Sequence, residues 1–418
     1  MEKGNTRRVI AAGAIGNVLE WYDFAVYGYF AAQIGRAFFP HEDEIAQILS
    51  AFGIFAVGYL MRPVGGALVG HIGDKFGRRR ALTFSVAAMA IPTFLVGVLP
   101  GHETLGLLAP VALTLLRMIQ GLSVGGEYTT SVVFMVEHAP PGRRGLIGAM
   151  ACCGAVGGIL LGSATGALLA ALFSEAELQA WGWRIPFLLG LVVGLAGYFL
   201  RRHIHEAPPK AEQRSPLKET FRDHWGLLLR LAGLSVFNAV GFYLLFVYIV
   251  SWLQLADGIA PARALEINTV SMLVLLPMMV AMGALSDRFG RRPMLLAATA
   301  IAFVGGLPLF WLMHHADVGL ILAGQFGFVV AVGMFLGTQP TLMVEATPPA
   351  VRCTAIALGY NVTLGVVGGV SPLVATWLVH RTDDQLSPAY MVMVAAAVSF
   401  LTVLLAFRET HKARLESA

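Results

Sequence analysis

The sequence predicts an all-α membrane protein: twelve transmembrane helices in two pseudo-symmetric six-helix bundles, with both termini on the cytoplasmic side. Three observations point there. The composition is too apolar for a soluble fold, twelve apolar segments follow one another, and two polar motifs recur once in each half of the chain. Of 418 residues, 57% are apolar and 13% charged. An ordinary soluble domain carries about 25% charged residues, so soluble enzymes, disordered chains and disulfide scaffolds are unfavoured. Twelve spans of about 20 apolar residues would occupy about 240 positions, which leaves room for connections.

The apolar segments lie near 9–38, 45–70, 81–100, 106–137, 146–172, 183–200, 226–254, 264–286, 293–313, 318–344, 353–379 and 388–407. Backbone in lipid must satisfy its own hydrogen bonds, so each segment is expected to be a helix. The segments are too long for barrel strands and do not alternate apolar with polar residues. Arg7 and Arg8 precede the first segment, which is longer than a signal-peptide core and contains Glu20 and Asp23. It reads as a retained first helix.

Orientation follows from the basic residues. With the N-terminus placed in the cytoplasm, 22 of the 29 Lys and Arg residues fall on cytoplasmic stretches. Only Arg36, Arg184, Arg263 and Arg381 fall outside, and Arg62, Arg117 and Arg230 lie within or at the ends of helices. This bias places both termini in the cytoplasm and makes the basic charge a topology signal, not a nucleic-acid footprint. The polar stretch RRHIHEAPPKAEQRSPLKETFRDHW at 201–225 reads as a cytoplasmic linker. It divides the chain into an N-terminal bundle, 1–200, and a C-terminal bundle, 226–418.

The two halves repeat one another. Gly70-HIGDKFGRRR returns as Gly283-ALSDRFGRRP, each after the second helix of its half, with Asp74 and Asp287 at matching positions. Glu137-HAPPGRRG returns as Glu345-ATPPAVRC after the fourth helix. Parallel halves of this kind are a transporter architecture, with the substrate site near the midplane. Glycines allow a tight turn and close helix approach, the basic run anchors the loop to the cytoplasmic face, and an Asp can pair with that run or sit at a helix N-terminus. Together these make an ionic latch on the cytoplasmic ends. A basic run alone would serve topology; the Asp and the glycines would not be needed for it.

The motif G-x-x-x-D-K/R-x-G-R-R between helices two and three resembles the signature of the major facilitator superfamily. Further stretches, GNVLEWYDFAVYG (16–28), LMRPVGG (60–66), LLRMIQGLSVGGEYTTS (115–131), WGWRIPF (181–187) and LSDRFGRRP (285–293), resemble its metabolite–proton symporter branch. That branch includes proline/betaine, α-ketoglutarate, citrate and shikimate permeases. The resemblance implies the major facilitator fold and proton-coupled uptake by alternating access across the bacterial inner membrane. It also implies a cytoplasmic gate built from Asp74, Arg78, Arg79, Glu137 and Arg144, with Asp287, Arg288, Arg291, Glu345 and Arg352 as partners in the second half. The long C-terminal coiled coil of osmosensing proline/betaine members has no counterpart after the last helix here, which puts osmotic gating in doubt but not betaine as a substrate.

An ionisable residue within a span costs at least about 2.5 kcal/mol at its centre and is a functional candidate by default. Glu20, Asp23, Arg62, Arg117 and Glu127 are such residues, all in the first half. The second half offers uncharged polar candidates: Asn238, Tyr243, Gln325, Gln339, Tyr360 and Asn361. This asymmetry suggests that the first half handles protons and charge while the second shapes the substrate pocket. At about 100° per residue, Arg117, Gln120, Val124, Glu127 and Tyr128 share one face of helix four. Asn17, Glu20, Phe24 and Tyr27 share one face of helix one. Arg62 and Glu127 are expected at similar depth, about 12–15 Å from the cytoplasmic helix ends, and hence as partners; Glu20, Asp23 and Arg117 are expected deeper.

A carboxylate carries protons if burial raises its pKa and a nearby Arg lowers it again, so Glu20, Asp23 and Glu127 are the candidate carriers. The alternative for each is a permanently ionised pair that only holds helices together. Arg117 could offer a planar fork to a substrate carboxylate or be tied internally to Asp23 or Glu20. On balance the sequence favours import of a small organic acid, a mono-, di- or tricarboxylate. The alternatives are a zwitterionic osmolyte such as proline or glycine betaine, and a proton-driven exporter on the same fold. Aromatic faces bind a quaternary ammonium group; Trp21, Tyr22, Phe24 and Tyr27, and Phe242, Tyr243, Phe246, Tyr248 and Trp252, could serve, though at least half are expected to be packing. No cofactor, metal site, nucleic-acid partner or enzymatic constellation is expected. The expected partners are a small solute, protons and the lipid bilayer, and a monomer is the expected functional unit. Cys152, Cys153 and Cys353 read as small packing residues.

Overall fold

The computed structural model describes residues 18, 20–39, 43–65, 68, 78–123, 127–137, 139, 140, 142–201, 220 and 222–412. Helices stand at all twelve predicted positions, and no strand occurs among the described residues. We number these spans α1 to α12. α1 runs through 20–29 and Ala31–Phe38, and α2 covers Glu44–Gly65. α3 is Arg78–Val98, and α4 is described in two stretches, Leu108–Ser123 and Glu127–Glu137. α5 is Arg144–Leu172 and α6 Ile185–Arg201. α7 is Trp225–Asp257, α8 Pro261–Phe289, α9 Arg291–Met313 and α10 Val318–Glu345. α11 is Arg352–Thr382 and α12 Ser387–Ala406. Eight of them, α2, α5 and α7 to α12, are each long and apolar enough to cross a membrane alone.

The helix ends follow local chemistry. Asp43 accepts from Ile45 N–H at 2.9 Å at the start of α2, and Asp317 accepts from Leu320 N–H at 3.0 Å at the start of α10. Each carboxylate satisfies a donor that the first helical turn leaves open. Pro261 opens α8, where its missing N–H is no loss, and Gly258 closes α7 in the left-handed conformation. Pro92, Pro277, Pro308 and Pro340 lie inside continuous helices, as does Pro372. Among the described residues, π turns occur at Leu244–Tyr248 in α7 and Leu364–Gly368 in α11. The second coincides with the glycine-rich run 365–369. A π turn displaces carbonyls from the helical ladder; in α7 the Leu245 carbonyl accepts from Gln325 Nε2 of α10 at 2.6 Å.

The chain packs as two compact units. The first gathers the described residues of Met1–Glu127, Gly154–Glu212 and Pro261–Glu266; the second gathers those of Tyr128–Cys153, Gln213–Ala260 and Ile267–Ala418. The packing units therefore do not follow the sequence halves residue for residue. The cytoplasmic ends of α4 and α5 group with α8, α10 and α11, for reasons visible in the ion pairs described below. Within the first unit α2 and α4 cross very closely: a Cβ on Gly121 would lie 2.0 Å from the Gly58 carbonyl oxygen. Glycine is required at that crossing, and the approach brings Arg62 of α2 and Arg117 of α4 onto the same side of α1.

Candidate functional site

α1 carries Glu20 and Asp23 three residues apart, nearly one helical turn, and each has its own arginine. Asp23 Oδ2 lies 2.7 Å from Arg117 Nη1, and both side chains are fully buried. Asp23 Oδ1 accepts from Gln120 Nε2 at 2.9 Å and from the Thr93 hydroxyl at 2.7 Å. Gln120 Oε1 in turn accepts from Arg117 Nη1 at 2.9 Å. The carboxylate thus replaces its water shell with three side-chain donors from α3 and α4, which is the condition for keeping a charge at this depth. Arg117 Nε and Nη2 have no hydrogen-bond partner among the described residues. The guanidinium instead lies over Phe24 at 4.7 Å and Tyr27 at 4.3 Å from the ring centroids.

Glu20 forms a buried ion pair with Arg62 of α2. The Arg62 guanidinium lies 5.4 Å from the Trp21 ring, 5.7 Å from Phe24 and 5.0 Å from Tyr59. The sequence-based expectation paired Arg62 with Glu127. The close α1–α2–α4 packing gives each arginine an α1 carboxylate, and Glu20 lies at Arg62's level instead of deeper. The Glu127 side chain lies outside the described residues, as do Asn17, Asp74 and the side chains of Arg78 and Arg79. The aromatic residues of α1 also have defined partners. Tyr22 donates to the Pro186 carbonyl at 2.9 Å and Tyr27 to the Ala51 carbonyl at 3.1 Å, so both tie α1 to its neighbours.

In the second unit a neutral polar row replaces the charges. Gln339 Nε2 donates to Ser235 at 3.1 Å, and Asn238 Nδ2 donates to Gln339 Oε1 at 3.1 Å and to the Tyr360 hydroxyl at 3.2 Å. The Tyr360 ring stacks on Tyr128 with centroids 5.1 Å apart, and the Tyr128 hydroxyl lies 2.8 Å from Cys152 Sγ. The row therefore joins α4, α5, α7, α10 and α11. Gln325 stands apart from it, engaged with the α7 π turn. Tyr243 is buried and leaves no room for a side chain at Gly368, whose Cβ would lie 2.8 Å from the ring. Asn361 is buried on α11. On α7, Trp252 donates to the Gln385 carbonyl at 2.8 Å and packs against Phe310, so it is structural.

Three of the four motif copies meet in the second unit; the side chains of the copy at 70–80 lie outside the described residues. Asp287 accepts the backbone N–H groups of Gly145 and Leu146 at 2.8 and 3.0 Å, capping the N-terminus of α5. The partial positive charge of that terminus favours the carboxylate. Arg291 lies 2.8 Å from Asp287 and 3.2 Å from Glu345, and Arg144 lies 3.7 Å from Glu345. Glu137 pairs with Arg352, whose Nε also donates to the Thr347 carbonyl at 3.0 Å. A Cβ on Gly145 would lie 2.3 Å from the Gly283 carbonyl oxygen, so the motif glycines allow the contact that the Asp then fastens. Arg288, expected in the latch, is exposed and is not one of the ion-paired described residues.

Sequence reasoning missed a further participant. After α12, Glu409 accepts from Arg291 N–H at 2.8 Å and Arg292 N–H at 2.9 Å, and Thr410 donates to Glu345 at 2.6 Å. Partial burial raises the Glu409 carboxyl, but the N–H groups of His411, Arg291 and Arg292 outweigh it and hold the carboxyl below its ordinary value. The mixed charges of this tail, RETHKARLE at 408–416, read only as a solvated end. Thr93 was missed for a similar reason, as a lone hydroxyl in an apolar helix. No group of three or more His, Cys, Asp or Glu side chains suited to a metal occurs among the described residues.

A fold of paired bundles, two buried carboxylate–arginine pairs and a doubled cytoplasmic motif can be compared with known proteins. The sequence matches the Major Facilitator Superfamily over residues 13–360 and 235–418. The chain belongs to that superfamily. It is 35% identical to the proline/betaine transporter of Escherichia coli strain K12 over 434 aligned positions, covering all of this chain and 86% of that protein. It is also 35% identical to the glycine betaine/proline/ectoine/pipecolic acid transporter OusA of Dickeya dadantii, with the same coverage. Among solved structures it is similar to the proton:xylose symporter XylE bound to 6-bromo-6-deoxy-D-glucose, with a TM-score of 0.77, 19% identity, and coverage of 98% and 97% of the two chains. The inward open conformation of XylE from E. coli gives a TM-score of 0.76 at 19% identity, covering 97% of each; at this identity both comparisons speak to the fold. Superfamily membership makes the chain a multi-pass inner-membrane transport protein and not an enzyme. The relatives turn the substrate question away from organic acids and towards the zwitterionic alternative.

Proposed function

We propose that this chain is a proton-coupled symporter that imports a small zwitterionic solute of the proline/betaine type by alternating access. The observation that carries the coupling is the Asp23–Arg117 pair, removed from water and joined by Gln120 and Thr93. A carboxylate in such a place has two tolerable states. It is ionised and paired, or protonated while the arginine finds another partner. A bistable element of this kind lets protonation bias a conformational equilibrium. The substrate class rests on the relatives. Arg117, which inclined the sequence reading towards an organic acid, already has an internal carboxylate partner and lies flat on two rings, which weakens that inclination.

In this reading Asp23, Arg117, Gln120, Glu20 and Arg62 form the charge-handling group. Asn238, Gln339 and Tyr360 are the neutral contribution of the second half to the transport path. Asp287, Arg291, Glu345, Arg144, Glu137 and Arg352 hold the cytoplasmic ends together in one state of the cycle. Counterflow in proteoliposomes tests the proposal. Labelled proline or betaine should exchange saturably, and an inward proton gradient should drive accumulation of either. Saturable exchange of di- or tricarboxylates without any response to betaine would overturn it.

A further inference from the structure

Among the described residues, Arg117 engages only one of its three side-chain nitrogens in hydrogen bonds. Nη1 donates to Asp23 Oδ2 at 2.7 Å and to Gln120 Oε1 at 2.9 Å, which occupies both of its N–H groups. Nε and Nη2 have no hydrogen-bond partner, although the side chain is fully buried. Buried donors are nearly always satisfied, and an orphaned one calls for a physical reason. The orphans here are not scattered. Nε–H and the neighbouring Nη2–H lie on one edge of the guanidinium and point the same way, the fork that meets both oxygens of a carboxylate. That edge is held in place. Phe24 and Tyr27 lie against the guanidinium with ring centroids at 4.7 and 4.3 Å, and Asp23 and Gln120 fix Nη1. On α2, Gly58 stands beside Nε. A Cβ there would lie 3.7 Å from it, so a larger residue would begin to cover the fork.

We infer that this edge of Arg117 seats the carboxylate of the transported solute, and that Asp23 takes up its proton in answer to it. The inference rests on the zwitterion reading and places one end of the zwitterion. With Asp23 ionised, its charge already balances the arginine. A second carboxylate on the fork then sets two buried anions against one cation, and a proton on Asp23 restores one anion per cation. Solute and proton favour each other's binding, and the linkage is reciprocal. The only bond made is the O–H of Asp23, its proton coming from water with each solute. The other titratable and charged groups around the pair are Tyr22 and Tyr27 on α1, and Glu20 of α1 with Arg62 of α2, one turn away. α3 and α4 face it with the neutral Thr93 and Gln120.

Equilibrium exchange of labelled glycine betaine in proteoliposomes, with the same pH on both sides, tests this. Betaine and choline share the trimethylammonium group, and only betaine has a carboxylate, which stays ionised between pH 6 and 8. In wild-type protein the half-saturating betaine concentration should fall about tenfold or more from pH 8 to pH 6, because one proton enters with each solute. Choline, as a competitor, should gain nothing. In Asp23→Asn the betaine value should no longer depend on pH. Arg117→Lys keeps a cation beside Asp23 and removes the fork. It should cut betaine's advantage over choline by about tenfold or more, the factor that one charge-assisted hydrogen bond carries.

A wild-type betaine value that is flat with pH, or an acid gain that choline shares, would overturn the inference and leave the zwitterion reading standing. So would Arg117→Lys with betaine's advantage over choline intact. The first two need only wild-type protein, so the question is decided even where the lysine variant does not insert. If wild-type protein does not exchange betaine at all, the zwitterion reading falls as well.

Discussion

Among the described residues, the first unit buries two carboxylate–arginine pairs at membrane depth, whereas the second gathers a shared network of ion pairs at its cytoplasmic end. The difference is one of connectivity as much as of charge. Asp23 is paired with one arginine and supported by two neutral donors, and Glu20 is paired with Arg62. Glu345 is shared by Arg291, Arg144 and Thr410, and Asp287 by Arg291 and two backbone N–H groups. A pair with one cation per anion can be switched by one proton. A network with several partners per anion yields more gradually and suits holding over switching. Buried pairs add little net stability over apolar packing, so two at this depth are better understood as working parts.

The comparison can be broken at its most charged point. Arg117→Ala leaves Asp23 ionised and buried without its cation, and removal of one partner from a buried pair destabilises by about 3–5 kcal/mol. The thermal midpoint of the detergent-purified protein should fall more for this variant than for any single change in the cytoplasmic network. An equal or larger fall for Arg144→Ala would mean that the isolated pairs are not the more brittle. Next in size, Tyr360→Leu removes both the stack on Tyr128 and the hydrogen bond to Asn238. With Cys153 and Cys353 replaced by serine, alkylation of buried Cys152 should speed up about tenfold or more, the factor that corresponds to losing about 1.4 kcal/mol of closure. An unchanged rate would detach the tyrosine pair from closure.

The smallest effect belongs to the tail. The Glu409 carboxyl lies below its ordinary value, so its docking contributes fully above the unfolded carboxyl pKa of about 4.3 and is lost as pH falls through the lowered folded value. Glu409→Gln should reduce protection of 407–411 from proteolysis at neutral pH by a few-fold. The difference from wild type should vanish in acid. A difference that persists or grows at low pH would contradict the assignment of the tail's docking to the ionised carboxylate.

Much of this was legible before any coordinates. Twelve spans, their orientation and the doubled motif follow from apolar length, the placement of 29 basic residues and plain repetition. The five ionisable positions within spans stood out because charge in lipid is expensive, and Glu20, Asp23, Arg62 and Arg117 are buried. Their partners did not. Helical periodicity places Glu20 and Arg62 each on a face, but which faces meet depends on the Gly58–Gly121 crossing, a property of two helices at once. Arg62 was matched by depth to Glu127, whose side chain lies outside the described residues, and its pairing with Glu20 was not read. Thr93 and Ser235 carry no signal of their own, since one hydroxyl in an apolar run also serves its own helix. The expectation that aromatics of α1 await a substrate cation was half informative. The rings are indeed arranged around cations, and in this structure the cations are Arg62 and Arg117. The substrate class was the least legible feature, because the arginine that suggested an organic acid is engaged within the protein.

One measurement bears most directly on the central claim that the isolated Asp23–Arg117 pair is the coupling element. Proteoliposomes containing Asp23→Asn are compared with wild type in two assays, equilibrium exchange of labelled betaine and its accumulation under an inward proton gradient. The expected result is exchange retained to within about tenfold and accumulation reduced to the level of vesicles without a gradient. Gradient-driven accumulation equal to wild type would contradict the claim and move the coupling site elsewhere.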